Sequence, residues 1–409
     1  MKQGWEIKKL GEVLEKTETI DPTKKPNEEF TYLDVSSVNK ETKEIENATV
    51  LLGKDAPSRA RKLVRANDVI FATVRPTHSR VTLITEEYDK QVCSTGYFVL
   101  RGKDFIFNQY LFYFLLTNEF NEQMEKLQKG ASYPAVTDAE VKSILLHYPK
   151  SLPEQQRIVS ILDEAFAAIA KAKANAQQNL QNAKELFESY LQGVFENKGE
   201  GWEEKKLETI SELISKGSSP KWQGVKYVDE PGVLFVTSEN VGEGKMLLFE
   251  KKYVEEKFNQ IEKKSILKKG DVLTNIVGAS IGRTAIYDTD DLANINQAVC
   301  LIRCNPEKLI NEYLMYLLNS PYTKQHLHDN EVNNARANLS LGFFRNLSIP
   351  LPSILVQKNV LEKIKSFHAE TKKLESIYQQ KINDLEELKK SVLQKAFSGE
   401  LKKAKEELA

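Results

Sequence analysis

Gly4-Trp5-Glu6-Ile7-Lys8-Lys9-Leu10 comes back as Gly201-Trp202-Glu203-Glu204-Lys205-Lys206-Leu207, 197 residues later. The echo continues along the chain. Asn67-Asp68-Val69-Ile70 answers to Gly270-Asp271-Val272-Leu273, and Asn108-Gln109-Tyr110-Leu111 to Asn311-Glu312-Tyr313-Leu314, both at an offset of 203. Pro149 matches Pro350, and Ser189-Tyr190-Leu191-Gln192 matches Ser391-Val392-Leu393-Gln394. A period near 200 is too long for a solenoid. It describes a duplicated unit.

Each unit has two parts. The first mixes short runs of β-branched and aromatic residues, such as 68–74, 92–100, 232–238 and 271–278, with helical stretches at 108–127 and 311–327. This composition predicts an α+β domain. The second part repeats apolar residues at steps of three and four, which predicts one long helix with a heptad-like seam. The first seam includes Ile158, Ile161, Ala165, Ile169, Ala172, Leu180 and Phe187. The second includes Ile364, Thr371, Leu374, Lys381, Leu385, Leu388 and Val392. Pro153 and Glu154 suit a helix start; Gly199 to Gly201 and Gly399 are stop signals.

The expected order is therefore a domain over 1–150, a helix over 151–198, a domain over 199–350 and a helix over 351–409. Two long helices of matched length can bury their stripes against each other. The expectation is an antiparallel coiled coil separating two similar domains, with a pseudo-twofold internal repeat.

Composition bounds the function. Lys and Arg number 58, Asp and Glu 58, so the 409-residue chain is neutral; apolar residues make up 41% and charged residues 28%. That is ordinary for a soluble protein with two or three domains. No apolar run approaches membrane-spanning length, and the N-terminus lacks the apolar core of a secretory signal. Three scattered cysteines, Cys93, Cys300 and Cys304, fit small core residues in a reducing cytoplasm better than a disulfide framework.

Catalytic constellations are absent. Gly278-Ala279-Ser280-Ile281-Gly282 lacks the lysine and spacing of a phosphate loop. Asn305-Pro306-Glu307-Lys308 begins like an amino-methyltransferase motif but lacks its second proline and aromatic. His326-Leu327-His328 has no third ligand nearby. Glu140-Val141-Lys142 has nuclease-like spacing without an acidic partner. No catalytic residue recurs at matched positions, so the expectation is a protein that is not an enzyme by itself and holds no metal or cofactor.

Charge is more informative locally. Residues 54–80 hold seven basic and two acidic residues, and the window 203 residues on, 257–283, holds six and two. A recurring basic window suggests contacts to nucleic-acid phosphates. Polar loops surround both windows, and Arg, Asn, Ser and Thr are side chains that contact phosphates and base edges. The candidate DNA-binding residues are Arg59, Arg61, Lys62, Arg65, Arg75, Thr77, His78 and Arg80 in the first repeat. In the second they are Ser218, Ser219, Lys221, Trp222, Lys263, Lys264, Lys268, Lys269, Arg283, Asn334, Arg336 and Asn338. The loops differ between repeats while the apolar landmarks are shared, as expected of two related readers of different sequences.

In this order, Gly-Trp at each repeat start, Leu152-Pro153-Glu154-Gln155-Gln156-Arg157-Ile158, Lys269-Gly270-Asp271-Val272-Leu273, Ile281-Gly282-Arg283-Thr284-Ala285, Asn296-Gln297-Ala298 and Ile349-Pro350-Leu351-Pro352 resemble the specificity subunit of type I restriction-modification enzymes. The resemblance covers essentially the whole chain. Residues 71–76 depart from it, having no counterpart of the Gly-x-x-x-Gly-Arg loop at 278–283. It implies two target-recognition domains reading the halves of a split, asymmetric site in double-stranded DNA, with the paired helices as a ruler between them. It also implies two methyltransferase subunits and restriction/translocase subunits as partners. S-adenosylmethionine, ATP and Mg would sit on those partners, with none on this chain. The alternative is a recognition module of a fused or stand-alone methyltransferase system without restriction activity.

Overall fold

The computed structural model describes residues 3–130, 133–229, 231–330 and 338–401. The chain forms two compact units, Met1–Ala176 with Gln380–Ala409, and Gln177–Gln379. Neither unit is a domain with a helix of its own. Each combines one α+β domain with one half of each long helix, so helices expected as segments of their own are shared.

In the first unit, Trp5–Lys9 pairs antiparallel with Leu145–Pro149, closing the ends of the domain. In the second, Glu203–Lys206 does the same with Ser348–Leu351. Inside the first domain, Val69–Ala72 lies between Val81–Leu83 and Tyr97–Leu100. All four residues of Val69–Ala72 are buried, as expected of a central strand. A second sheet runs Thr49–Leu52, Glu29–Leu33, Val92–Ser94, Ala60–Leu63. The other domain repeats the plan. Val272–Asn275 lies between Thr284–Ile286 and Val299–Cys304, with Ser211–Lys216 added beyond the latter. Its second sheet contains a parallel pair, Val233–Val236 with Ala293–Ile295, matching Glu29–Leu33 with Val92–Ser94.

The helical stretches differ from expectation. The run at 108–127 is two helices, Asn108–Phe114 and Asn118–Leu127, and that at 311–327 is Asn311–Asn319 and Pro321–Asp329. The break recurs 203 residues apart. The Thr117 hydroxyl accepts from Phe120 N at 3.2 Å, and the Ser320 hydroxyl accepts from Thr323 N at 3.3 Å. Each starts a new helix as its N-cap. Pro321 reinforces the second break, since it has no N–H for the preceding helix and suits a first helical position.

The frame is also fixed by polar groups buried at matched places. Arg101 grips Asp68 with two hydrogen bonds of 2.8 and 2.7 Å, and Arg303 grips Asp271 with the same two lengths. Gln155 Oε1 accepts from Phe107 N at 2.9 Å, and Gln357 Oε1 from Ile310 N at 2.9 Å. The amide of Gln155 donates to Pro149 O, and that of Gln357 to Pro352 O. These glutamines, each in the first turn of a long helix, satisfy loop groups that burial would otherwise leave unpaired. Polar residues do recur at matched positions, and what they hold is the backbone.

The long helices run Leu152–Glu196 and Ile354–Phe397. Within the first unit, Lys173 pairs with Glu386, Lys389 lies 4.9 Å over the Phe166 ring, and Arg157 reaches Leu401 O. Rising numbers meet falling ones, so the halves pack antiparallel. Within the second unit, Phe187 stacks on His368 at 4.3 Å and Tyr190 meets Phe367 at 4.3 Å.

The facing rows are regular heptads. In the first helix they are Val159, Phe166, Lys173, Leu180, Phe187, Val194 and Leu162, Ile169, Ala176, Ala183, Tyr190, none of them exposed. In the second they are Leu361, His368, Glu375, Ile382, Lys389, Ala396 and Ile364, Thr371, Tyr378, Leu385, Val392, again none exposed. Ile158 is buried and Ile161 half-buried beside the first row. Leu374 and Leu388, expected on the seam, are 38% and 48% exposed. Lys381 is likewise exposed. Each sits one residue before the facing row, and 3.6-residue periodicity turns it about 100° away. Thr371 stays in the seam by donating its hydroxyl to Phe367 O at 3.1 Å.

His368 gives the second unit a pH dependence. Its ring stacks on Phe187, Tyr316 OH lies 3.5 Å from Nδ1, and Lys372 and Glu375 are its charged neighbours. Burial, helped by Lys372, holds it below the ordinary value of 6.5. As pH falls, the unfolded chain therefore takes up the proton first. This contribution is present above 6.5 and lost as pH drops below it. The thermal midpoint of the second unit is expected to fall more steeply between about pH 7 and pH 5 than in His368→Phe. Parallel curves would refute it.

Candidate nucleic-acid interface

Each domain gathers loops at one end of its central strand. In the first, Thr73 N donates to Gly96 O at 2.8 Å, Arg75 N to Pro134 O at 2.7 Å, and Val136 N to Thr73 O at 2.9 Å. Val74 bridges Ala135. Loops 73–80, 95–96 and 133–136 thus meet where Ala72 pairs with Tyr97. In the second, Val277 bridges Asn338, each 203 residues after its counterpart. Ile276 N donates to Ala298 O at 2.9 Å, Leu339 N to Ile276 O at 2.9 Å, and Gly217 N to Asn296 O at 3.2 Å. The backbone frame is repeated, and the side chains mounted on it are not.

In the first domain, Arg75, Thr77 and His78 are exposed on the 73–80 loop. The Arg75 guanidinium lies 5.0 Å over the ring of Tyr133. Arg80 donates to Val38 O, and the Lys43 ammonium donates to Ser79 O at 2.6 Å and Lys40 O at 2.5 Å. Burial pushes Lys43 down to about 8, with Lys389 and Arg80 adding repulsion. Arg59 is exposed beside this end, its carbonyl accepting from Thr95 N at 2.8 Å. The remaining candidates are engaged within the fold. Arg61 lies 3.6 Å from Asp21, Lys62 pairs with Asp138 at 2.8 Å, and Arg65 pairs with Glu18 at 2.5 Å. Arg65 also sits before Asp68, at the opposite end of the central strand.

In the second domain, Arg283 closes the 277–283 loop and is exposed. Ser218 and Ser219 are half-buried, while Lys221 and Trp222 are exposed, the latter by 74%. Gln223 ties this loop to Ser218 at 3.0 Å and to Glu262 at 2.8 Å, which brings exposed Lys263 and Lys264 beside it. Lys268 and Lys269 precede Asp271, at the opposite end of Val272–Asn275 from Arg283. Lys269 also pairs with Asp290 at 2.8 Å. Each basic window is therefore divided by the strand it spans. Asn338 is half-buried in its bridge, and Asn334 and Arg336 lie outside the described residues.

Sequence reasoning misses two residues of this site, Lys43 and Tyr133. The second has a signal. Shifting the candidate loop at 333–338 back by 203 lands on 130–135, and on Tyr133 from Arg336.

The other motifs have structural occupations. Glu140 closes a capping box with Thr137 and pairs with Lys129 at 2.9 Å; these contacts, led by Lys129, lower its carboxyl to about 2. Asn305 accepts from Glu307 N at 3.0 Å, forming a local turn. Burial raises Cys93 and Cys300 to about 12, so both are inert thiols. Among the described residues no group of three or more His, Cys, Asp or Glu could hold a metal ion, and no helix is long and apolar enough to cross a membrane.

The sequence matches the family model of the type I restriction modification DNA specificity domain twice, over residues 2–180 and 199–387. The type I restriction enzyme MjaVIII specificity subunit of Methanocaldococcus jannaschii is 26% identical over 309 residues, which is 72% of this chain and 70% of that one. The EcoBI specificity subunit of Escherichia coli is 27% identical over 271 residues, 61% of this chain and 57% of the relative. Among solved structures, a chain from work on assembly and conformational transition of the type I R-M system superposes with a TM-score of 0.86 at 27% identity, covering 98% of this chain and 99% of that one. The HsdS subunit from Thermoanaerobacter tengcongensis gives 0.66 at 27% identity, with 98% of each covered. Two domain copies with one frame and different loops, matched twice by one family model, place the chain in the type I restriction-modification DNA specificity family.

Proposed function

We propose that this chain is the DNA-reading and assembly subunit of a type I restriction-modification complex. The observation that carries this is the duplicated loop frame. The bridges Val74–Ala135 and Val277–Asn338 hold equivalent loops bearing different side chains, as two readers of unlike half-sites require. Each domain contributes one half of a bipartite, asymmetric recognition sequence. The chain itself performs no chemistry. Methyltransferase subunits supply adenine methylation with S-adenosylmethionine, and restriction/translocase subunits supply ATP- and Mg-dependent work.

Co-expression with methyltransferase subunits, followed by mapping of methylated adenines, tests this reading. A split motif with two unlike halves is expected, and methylation without a motif would overturn it.

The exposure of Lys263 and Lys264 beside the 218–223 loop supports reading them as phosphate contacts. Reversing both to Glu is expected to weaken binding of all duplexes. It should also reduce the slope of log affinity against log salt by roughly 0.9 for each phosphate no longer neutralised. Lys269→Glu, which removes a partner of Asp290, is expected to leave that slope unchanged. An unaltered slope in the double reversal would remove these lysines from the interface.

A further inference from the structure

Arg75 sits at a backbone position that an arginine has no conformational reason to occupy. Its φ is +50°, in the left-handed region, which crowds the Cβ of an L-residue against its own backbone. The residue 203 positions later is Gly278, whose φ is +76°. One copy of the frame meets the demand with glycine, the residue suited to it. The other copy meets it with arginine. Asn67 and Ser79 likewise stand at left-handed positions where the second domain has Gly270 and Gly282, so what sets Arg75 apart is the exposed guanidinium that it mounts on this turn.

That side chain is held ready. Arg75 N is fixed on Pro134 O at 2.7 Å, and Val74 bridges Ala135, so the loops carrying Arg75 and Tyr133 are bound to each other. Pro76 is buried behind it. The guanidinium carbon lies 5.0 Å from the centre of the Tyr133 ring, itself 71% exposed, within cation–π reach of its face. Arg61, Lys62, Arg65 and Arg101 all have carboxylate partners. Among the described residues Arg75 has none. Stacking on an aromatic face fixes the plane of a guanidinium and leaves its N–H edge outward. A planar two-donor edge, pre-oriented and unpaired, matches the O6 and N7 acceptors of guanine in the major groove. A lysine-like point charge on a phosphate would need neither the plane nor the strained turn.

We propose that Arg75 reads a guanine in the half-site of the first domain, and that Tyr133 is its positioning residue. The second domain, with Gly278 at the matched place, does not read its half-site from that position. This rests on the reading that the chain recognises DNA.

The test uses the full chain assembled with methyltransferase subunits. It compares the wild type with Arg75→Gly, Arg75→Lys, Tyr133→Ala and Tyr133→Phe. Readouts are the methylated motif and binding to duplexes substituted one base pair at a time. Arg75→Gly is expected to lose roughly 5- to 150-fold discrimination at one G·C position of one half-site, with the other half unchanged. Its thermal midpoint should be equal or higher, because glycine relieves the turn. Arg75→Lys should lose the same discrimination while retaining charge. Tyr133→Ala should lose part of it, and Tyr133→Phe should restore it. A uniform loss over all duplexes would make Arg75 a phosphate contact and overturn the proposal. So would an unchanged motif, or a wild-type motif with no G·C pair in either half. A wild-type complex with no sequence preference at all would instead overturn the reading of function, and this proposal with it.

Discussion

Arg303→Met is expected to destabilise the second unit by about 3 kcal/mol. Asp271 is 2% exposed and accepts both N–H groups of the Arg303 fork, at 2.8 and 2.7 Å, besides Lys268 N at 2.7 Å. Removing the guanidinium leaves a carboxylate buried with one backbone donor. The lower end of the range for breaking a buried pair applies, because Arg303 itself remains 18% exposed. The double variant Asp271→Leu/Arg303→Met should regain most of the loss, since an apolar pair of similar size has no charge to desolvate. Denaturant unfolding of the full chain measures both, and a single variant losing under about 1 kcal/mol would show the pair to be dispensable. Arg101→Met should act likewise on the first unit, where Asp68 is 1% exposed.

That pair marks a boundary of what the sequence makes legible. Asp68 and Asp271 lie inside the landmarks that reveal the duplication. Their partners, Arg101 and Arg303, lie 33 and 32 residues away, beyond any local pattern. The basic windows mislead for the same reason. Counting charges cannot see that Arg61, Lys62 and Arg65 meet Asp21, Asp138 and Glu18 across the fold.

The helices show a subtler limit. The row Ile364, Thr371, Tyr378, Leu385, Val392 is readable from spacing alone. Apolar character draws the companion row through Leu374 and Leu388, whereas the facing residues are Glu375 and Lys389. Lys389 lays its ammonium over the Phe166 ring of the facing helix, and Glu375 pairs with Lys372 at 2.9 Å, so long charged side chains can cover the seam with their aliphatic stems. Hydrophobicity finds the period of such a helix, but it does not choose between adjacent rows when the facing one carries long charged side chains. The loop frames are accessible by a different route. The offset of 203 links Arg75 to Gly278 and Tyr133 to Arg336 once the register is trusted residue by residue.

Phe397→Ala is expected to cost the first unit about 3–5 kcal/mol, and Phe195→Ala the second unit about the same. Phe397 ends the second long helix, is 6% exposed, and packs 4.8 Å from Tyr110 and 6.0 Å from Phe114. Phe195, near the end of the first long helix, is fully buried 5.5 Å from Tyr313. Tyr110 and Tyr313 are matched residues whose hydroxyls donate to His147 O and Pro350 O. Each domain core therefore takes side chains from the start of one long helix and the end of the other. Ile158, Val159 and Leu162 join Leu393, Ala396 and Phe397 in the first, and Leu361 and Ile364 join Leu191 and Phe195 in the second. Truncating either ring opens a cavity where helix and domain meet, and the matched tyrosine cannot move to fill it without giving up its carbonyl. Calorimetry should show Phe397→Ala lowering the transition of the first unit and leaving that of the second in place. Equal shifts of both would mean that the helices couple the units more strongly than these separate cores imply, and loss of neither would remove the aromatic plug from what holds domain and helix together.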